Sequence, residues 1–344
     1  MSEHNSFRAV IPPIPDGTPR PLWSVMIPTY NCANYLRETL ASVLAQDPGP
    51  DIMQIEVVDD HSTKDDPEAV VRELGGDRVG FYRQPENVGH TKNFDTCLKR
   101  ARGKLIHQLH GDDCVRDGFY RKLQLAFEEN PNIGAAFCRN LTMDEHGHWM
   151  GISTLEQSES GVLSNWLERI AEYQRIQTPS IVVQRNVYER LGGFDYRLSW
   201  SEDWEMWVRI AAHYSVWYEV EPLAVYRIHS NSNTGRYHRS GENTKDIIRA
   251  IGIIKHYLPS DRVNQVTQKS LHGYAFLALG FASQLVNKGD TYAAINQIRE
   301  AFIGSFSLKM LFYASWICIK FIYLTIVNKI RNIQEKIHLV NQTN

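Results

Sequence analysis

The sequence predicts an α/β domain built on a mainly parallel sheet and followed by a helical extension, and three observations carry that prediction. Short apolar runs (WSVMIPTY, IMQIEVVDD, RVGFYRQ and KLIHQLHGDD) are bounded by turn residues and separated by stretches of helical spacing. Three of these runs end in polar clusters, PTYN, DDHST and HGDD. Beyond about Gly241 the pattern is helical throughout. Strands that alternate with helices pair in parallel and carry helices on both faces of the sheet.

A chain of 344 residues holds one large domain plus an extension, or two domains. With 43% hydrophobic and 22% charged residues it has the composition of a soluble globular protein, which excludes disordered and collagen-like classes. The 37 basic and 39 acidic side chains leave a net charge of −2, so nothing global selects nucleic acid as a partner. Five scattered cysteines without a C-x-x-C pair argue against a disulfide framework or a zinc site and fit a reducing cytoplasm.

The elements follow in order. Residues 1–21 are rich in proline and polar side chains, lack the apolar core of a secretory leader, and read as a flexible arm. Residues 22–240 form the α/β domain and 241–344 the extension. In YLRETLASVLAQ, Leu36, Leu40, Val43 and Leu44 share a face, with Asn34 placed to cap the start. A helix over Phe119 to Asn130 and a strand in GAAFCRNLTM come next. In SEDWEMWVRIAAHY, Trp204, Trp207, Val208 and Ala211 are spaced for one buried face, which puts Glu202 and Asp203 at a helix start, where the macrodipole favours carboxylates. VWYEVEPLAVYRIHSNSNTG reads as strand, turn, strand and polar loop.

Ligands of such sheets bind beyond the carboxyl ends of the strands, so the polar run ends are the candidate site. Asp112 and Asp113 are either a turn or helix cap, or adjacent oxygen ligands for Mg²⁺ or Mn²⁺. Asp59 and Asp60 are either turn residues or partners for a ribose or base. Asp203 is either a helix-start carboxylate or a base for an acceptor hydroxyl, and His229 a loop histidine or a metal or diphosphate contact.

Taken in order, IPTYN, VVDDHST, ENVGHTKNFD, ARGKLIHQLHGDD, GGFDYRLSWSEDWEMWVRIA and YRIHSNSNT resemble the signature blocks of the family 2 glycosyltransferases of GT-A fold, from about Leu22 to Gly235. The resemblance implies a Rossmann-like, mainly parallel sheet. It also implies inverting transfer of a sugar from a nucleotide diphosphate sugar, UDP-sugar favoured, to a hydroxyl of a glycan or lipid-linked acceptor in cell-surface polysaccharide synthesis. It places Pro28, Thr29 and Tyr30 along the nucleotide, Asp60 on the base or ribose, and Asp59 behind that loop. Asn87, Gly89, Lys92 and Asn93 match a further nucleotide block, with Lys92 where an arginine is usual; the lysine keeps the charge without the planar fork. Asp112 and Asp113 match the metal-binding D-x-D region, Asp112 reaching the donor as well, and His110 stands where the fuller motif has an aspartate. His229 matches a metal or diphosphate contact, Asp203 the catalytic base and Glu202 its acidic neighbour. Trp200, Trp204 and Tyr196 are candidates for a wall against the acceptor sugar. The implied cofactor is Mn²⁺ or Mg²⁺. The rival from another class is a non-catalytic module of the same fold, a scaffold or sugar sensor in a polysaccharide assembly complex. A sugar nucleotidyltransferase is disfavoured because PTYNCANYL has neither glycine nor lysine.

In the extension, residues 310–327 (MLFYASWICIKFIYLTIV) are almost wholly apolar, interrupted by Lys320. Lys309, Lys320 and Arg331 are eleven residues apart and fall on one helical stripe, with Phe312, Trp316 and Tyr323 elsewhere around the helix. A helix over 308–331 therefore lies in the surface of an anionic leaflet, packs as a core or dimer helix, or spans a membrane. The first of these predicts a cytoplasmic protein peripheral to the inner face of the membrane.

Overall fold

The structure is a computed structural model and describes residues 7–229, 237 and 239–342, with the side chains of the last helix described as far as 327 and at 334. The chain divides into two units, Met1–Ser230 with Ile253–Val263, and Asn231–Gly252 with Asn264–Asn344.

The first unit is built on one mixed sheet. Its strands are β1 (Trp23–Thr29), β2 (Met53–Asp59), β3 (Gly80–Arg83), β4 (Leu105–Gln108), β5 (Cys114–Val115), β6 (Ile133–Met143), β7 (Trp149–Ile152), β8 (Gly161–Val162), β9 (Ile181–Gln184) and β10 (Ser215–Arg227). They run in the order β3-β2-β1-β4-β9-β6-β10-β5, with β7 beside β6 and β8 beside β10. The first four are mutually parallel, β9 is antiparallel to both its neighbours, and β10 is parallel to β6 but antiparallel to β5. Helices α1 (Ala33–Leu44), α2 (Pro67–Gly75), α3 (His90–Arg100), α4 (Phe119–Glu129), α5 (Trp166–Glu172), α6 (Arg185–Leu191) and α7 (Glu202–Ala211) connect them.

The spacing of apolar residues explains the packing. Val25 and Ile27 of β1 and Val57 of β2 share a buried cluster with Leu36, Leu40 and Val43 of α1 and Phe119 and Leu123 of α4. Leu40 has no solvent exposure, and truncating such a residue to alanine costs about 2–5 kcal/mol.

Three expectations are corrected. Asn34 does not cap α1, because Cys32 holds the cap position and the Ala33 N–H donates instead to Asp65 Oδ2 at 2.8 Å. The segment from Ser215 is one strand rather than two: β10 absorbs Pro222, which has no N–H to donate, by register shifts against β6 between Glu219 and Ala224. The described part of residues 1–21 is no free arm. Arg8 pairs with Asp195 at 3.3 Å and Glu205 at 3.0 Å, Ile11 is buried, and Arg185 donates to the Pro12 carbonyl. Residues 1–6 lie outside the described residues.

The second unit is helical: α8 (Glu242–Ile254), α9 (Val263–Asn287), α10 (Thr291–Gly304) and α11 (Leu308–Gln342), of which Ile253–Val263 belongs to the first unit. Asp290 caps α10 by accepting from the Ala293 N–H, which makes the Gly-Asp turn of the expected helical hairpin. Leu279 and Ala282 of α9, Ala294 and Ala301 of α10 and Met310, Ala314 and Ile317 of α11 share a core. Residues Leu308–Val327 are long and apolar enough to cross a membrane, and only 17% of that window is buried. Lys320 does not belong to an outward cationic stripe: its Nζ donates to Ser283 Oγ at 3.0 Å and lies 4.9 Å from the Trp316 ring centroid. Lys309 is exposed, and the Arg331 side chain lies outside the described residues.

Candidate active site

The carboxyl ends of β1, β2 and β4 bring the predicted run ends together. Pro28 and Thr29 close β1; Thr29 is buried with Oγ1 2.8 Å from Cys32 Sγ, while Tyr30 is exposed. Asp59 is consumed by its own loop, accepting from the Ser62 N–H and hydroxyl and pairing with Arg83 at 3.4 Å. Asp60 is also buried. Its two oxygens accept from the N–H groups of Val88 and Gly89 at 2.8 and 3.0 Å, so the side chain expected to read the base or ribose also ties β2 to the next loop. Burial pushes its pKa up, against the pull of those two bonds.

Asn87 donates to the Asp60 carbonyl, and Gly89, at φ +84°, leads into α3. Asn93, expected on the nucleotide, has its amide occupied by the fold: Nδ2 donates to the Val58 carbonyl and Oδ1 accepts from Gln84. Lys92 is exposed on the first turn of α3.

Between β4 and β5 the chain passes His110, Gly111, Asp112 and Asp113. A side chain on Gly111 would place Cβ 2.9 Å from Thr29 Oγ1 and 3.1 Å from Cys32 Sγ, so glycine is what lets this loop lie on the end of β1. Asp113 is buried; its Oδ1 accepts from the Arg227 N–H at 2.9 Å and its Oδ2 has no hydrogen-bond partner. Partly exposed Asp112 accepts from His229 at 2.9 Å. The Asp112 carbonyl accepts from the Arg227 guanidinium, which lies over the Tyr35 ring at 4.7 Å and also binds Glu38. The strand end of β10 thus delivers His229 to the aspartates; Ser230–Thr234 of the same loop lie outside the described residues.

His110, Asp112 and Asp113 each offer a ligand atom within 4.8 Å of the others. Burial pushes Asp113 well above the usual carboxylate range, with the charge of Asp112 adding to it. Asp112 is raised by burial but held lower on balance by the His229 bond and the charge of His110. Burial lowers His110, favouring the neutral imidazole that binds metals. Two carboxylates crowded together, one with an unpartnered buried oxygen, fit a hard divalent cation, and the nitrogen of His110 suits Mn²⁺ at least as well as Mg²⁺.

At the start of α7, Asp203 Oδ2 accepts from Gln174 at 3.0 Å and Thr178 Oγ1 at 3.2 Å. Burial, with the charge of Glu202 beside it, raises its pKa to about 7. Glu202 is buried against His90 at 3.1 Å. Trp204, a candidate for the acceptor wall, is 1% exposed and donates its indole N–H to the Ile170 carbonyl, so it belongs to the core. Trp200 is half-buried. Tyr196 is exposed and hydrogen-bonds Asp95.

The aspartates of the HGDD loop and the carboxylates of α7 act in one electrostatic field. Glu202 raises both His90 and His110, and Asp60 also raises His90. Sequence reasoning left His90 and Arg227 unassigned. His90 had a signal in being the first helical residue after Gly89, whereas Arg227 is recognisable only once β10 is paired with β5.

The mixed, mostly parallel sheet with flanking helices has the GT-A architecture, with an aspartate pair at its strand ends and a carboxylate at the start of α7. Residues 24–161 match the sequence model of glycosyl transferase family 2. A Rickettsia typhi protein described as an uncharacterized glycosyltransferase is 25% identical over 215 residues, 62% of this chain and 66% of that one. Among solved structures, Staphylococcus aureus TarS residues 1–349 in complex with UDP-GlcNAc superposes with a TM-score of 0.60 at 16% identity, over 81% of this chain and 89% of that one. The mannosyltransferase PcManGT from Pyrobaculum calidifontis, in complex with GDP-Man and Mn²⁺, gives 0.53 at 17% identity, over 92% and 89%. At these identities the structural matches establish the GT-A fold alone.

Proposed function

We propose that the chain is an inverting glycosyltransferase that moves a sugar from a nucleotide diphosphate sugar to a hydroxyl of a glycan or lipid-linked acceptor, in cell-surface polysaccharide synthesis. The observation that carries this reading is Asp203: a carboxylate anchored by Gln174 and Thr178, with a pKa of about 7, in the same field as the aspartate pair. A base works best with a pKa near the operating pH. In the reaction, the acceptor oxygen forms a bond to the anomeric carbon as its proton passes to Asp203. The bond from that carbon to the diphosphate breaks, its electron pair leaves with the nucleoside diphosphate, and the configuration inverts.

Asp112 and Asp113, with His110 and His229, would hold Mn²⁺ or Mg²⁺. Bound there, the ion supplies positive charge against that growing on the leaving diphosphate. Exposed Lys92 and the backbone around Thr29 and Gly89 face the donor. UDP-sugars are the leading donor class, in keeping with the UDP-GlcNAc complex of TarS, and GDP-sugars come next. The outward residues of α11, with Phe312 at 75% and Ile319 at 64% exposure, support contact with the cytoplasmic membrane surface.

A thermal-shift screen of UDP-, GDP-, CDP- and dTDP-sugars with and without Mn²⁺, on wild type and Asp113→Ala, tests the assignment. A ligand that binds only the native state raises the melting temperature by mass action. The reading predicts a metal-dependent rise with one nucleotide that the variant loses; no rise with any of them refutes it.

A further inference from the structure

His90 is the first residue of α3 and follows Gly89, whose N–H holds Asp60. Its Nε2 lies 3.1 Å from Glu202 Oε1, at the start of α7, and its ring also hydrogen-bonds the Ser199 backbone carbonyl. A carboxylate and a carbonyl are both acceptors, and only the imidazolium donates to two acceptors at once. Phe94, one turn further along α3, packs edge-on against His90 at 5.6 Å and stacks on His110 at 4.9 Å. One side chain therefore links the loop expected to carry the nucleotide with the helix that presents Asp203.

We infer that His90 is a positioning residue for sugar transfer: as an imidazolium it clasps Glu202, fixes the start of α7 against the nucleotide loop, and neutralises the charge beside Asp203. The inference rests on the reading of Asp203 as the base. The charged groups around His90 all bear on it. Burial opposes its charge, but Glu202 across the gap, the Ser199 carbonyl and Asp60 behind it outweigh that cost, and the charge of His90 in turn lowers His110 on the far side of Phe94. With His90 neutral or absent, Glu202 would be a buried, unbalanced anion next to Asp203, and both carboxyl groups would compete for one proton.

The test has two arms on the full chain. In the first, ¹⁵N-labelled imidazole signals are followed through pH in wild type and Glu202→Gln, with His90 assigned from His90→Gln. Wild-type His90 is expected to titrate above the ordinary ~6.5, and the Glu202→Gln value to fall by roughly a unit or more. A wild-type His90 that titrates at or below 6.5 overturns the inference.

The second arm compares transfer by wild type, Asp203→Asn, His90→Gln and His90→Gln/Glu202→Gln. His90→Gln is expected to lower kcat roughly 10- to 100-fold, leave the KM for the nucleotide sugar within about threefold, and move the acid limb of the kcat profile upward. Removing both charges in the double variant returns that limb to its wild-type position, which a purely structural role would not do. An unmoved limb in His90→Gln, or a displaced limb in the double variant, overturns the inference while leaving the base reading intact. Retained transfer in Asp203→Asn overturns both.

Discussion

His229 and Asp112 are separated by 117 positions in the chain and by 2.9 Å in space, their bond closing the candidate metal site from the end of β10. His229→Ala should weaken Mn²⁺ binding about 10- to 100-fold, the range found when a residue that orients or completes a metal site is lost. Isothermal titration of the purified protein with Mn²⁺ in the presence of the preferred nucleotide checks this. An unchanged affinity would remove His229 from the site.

Asp203→Asn retains the shape of the side chain and loses its basicity. Transfer should fall by about 10²- to 10⁴-fold, while the thermal shift given by nucleotide and Mn²⁺ stays within error of wild type. Loss of nucleotide binding along with transfer would mean that Asp203 holds the fold rather than the proton.

The raised pKa of Asp203 also fixes the pH dependence. The basic form predominates only above about 7, so kcat should fall about tenfold per unit as pH drops below that value. The sign reverses for stability. A carboxyl whose folded pKa lies above its unfolded value stabilises the protein while protonated, and that contribution is lost as pH rises from the unfolded value of 3.8 through 7. Asp203→Asn should therefore melt higher than wild type at pH 8, by roughly 2–4 °C for each kcal/mol regained, with the gap narrowing below pH 7 and closing as pH falls to the unfolded value of 3.8. Equal melting temperatures at pH 8 would contradict the raised pKa of this carboxylate.

Away from the site, Glu205 and Arg209 are both buried and joined at 3.0 Å, with Arg8 and Tyr257 completing the cluster around Glu205. Arg209 also donates to the carbonyls of Leu191 and Gly193. Arg209→Met leaves Glu205 with less compensation and the carbonyls of Leu191 and Gly193 without their donor, at a cost of about 3–5 kcal/mol. Urea denaturation should show the midpoint falling with an unchanged slope.

On α11, Phe312→Glu with Ile319→Glu places charge on the exposed apolar face without touching Met310, Ala314 or Ile317. Sedimentation with vesicles containing phosphatidylserine should show binding by wild type and a loss of at least about tenfold in the variant. Equal partitioning of the two would exclude this face as the membrane contact.

The sequence by itself determined the elements whose signals are local. Short apolar runs bounded by turn residues placed β1, β2 and β4, which are buried on both faces, and helical spacing placed α1, α4 and α7, because burying one face of a helix constrains residues three or four apart. The carboxylates at the run ends were legible for the same reason: a strand that must end in a ligand crevice ends in polar residues. What only the tertiary structure decided is how those polar residues are partnered. Asp60 and Asn93 have the chemistry of nucleotide contacts, but their hydrogen bonds go to Val88, Gly89, Val58 and Gln84, partners chosen by the approach of α3 to β2. For Trp204 the helical spacing already pointed to a buried face, and its burial with the indole on the Ile170 carbonyl takes it out of the acceptor wall. Arg8, in the segment expected to be a flexible arm, and Lys320, expected on a cationic stripe, are each held by an acceptor far away in the chain. Local sequence carries the periodicity that burial imposes, whereas hydrogen bonds and charge pairs depend on which strands lie side by side, and no spacing rule transmits that.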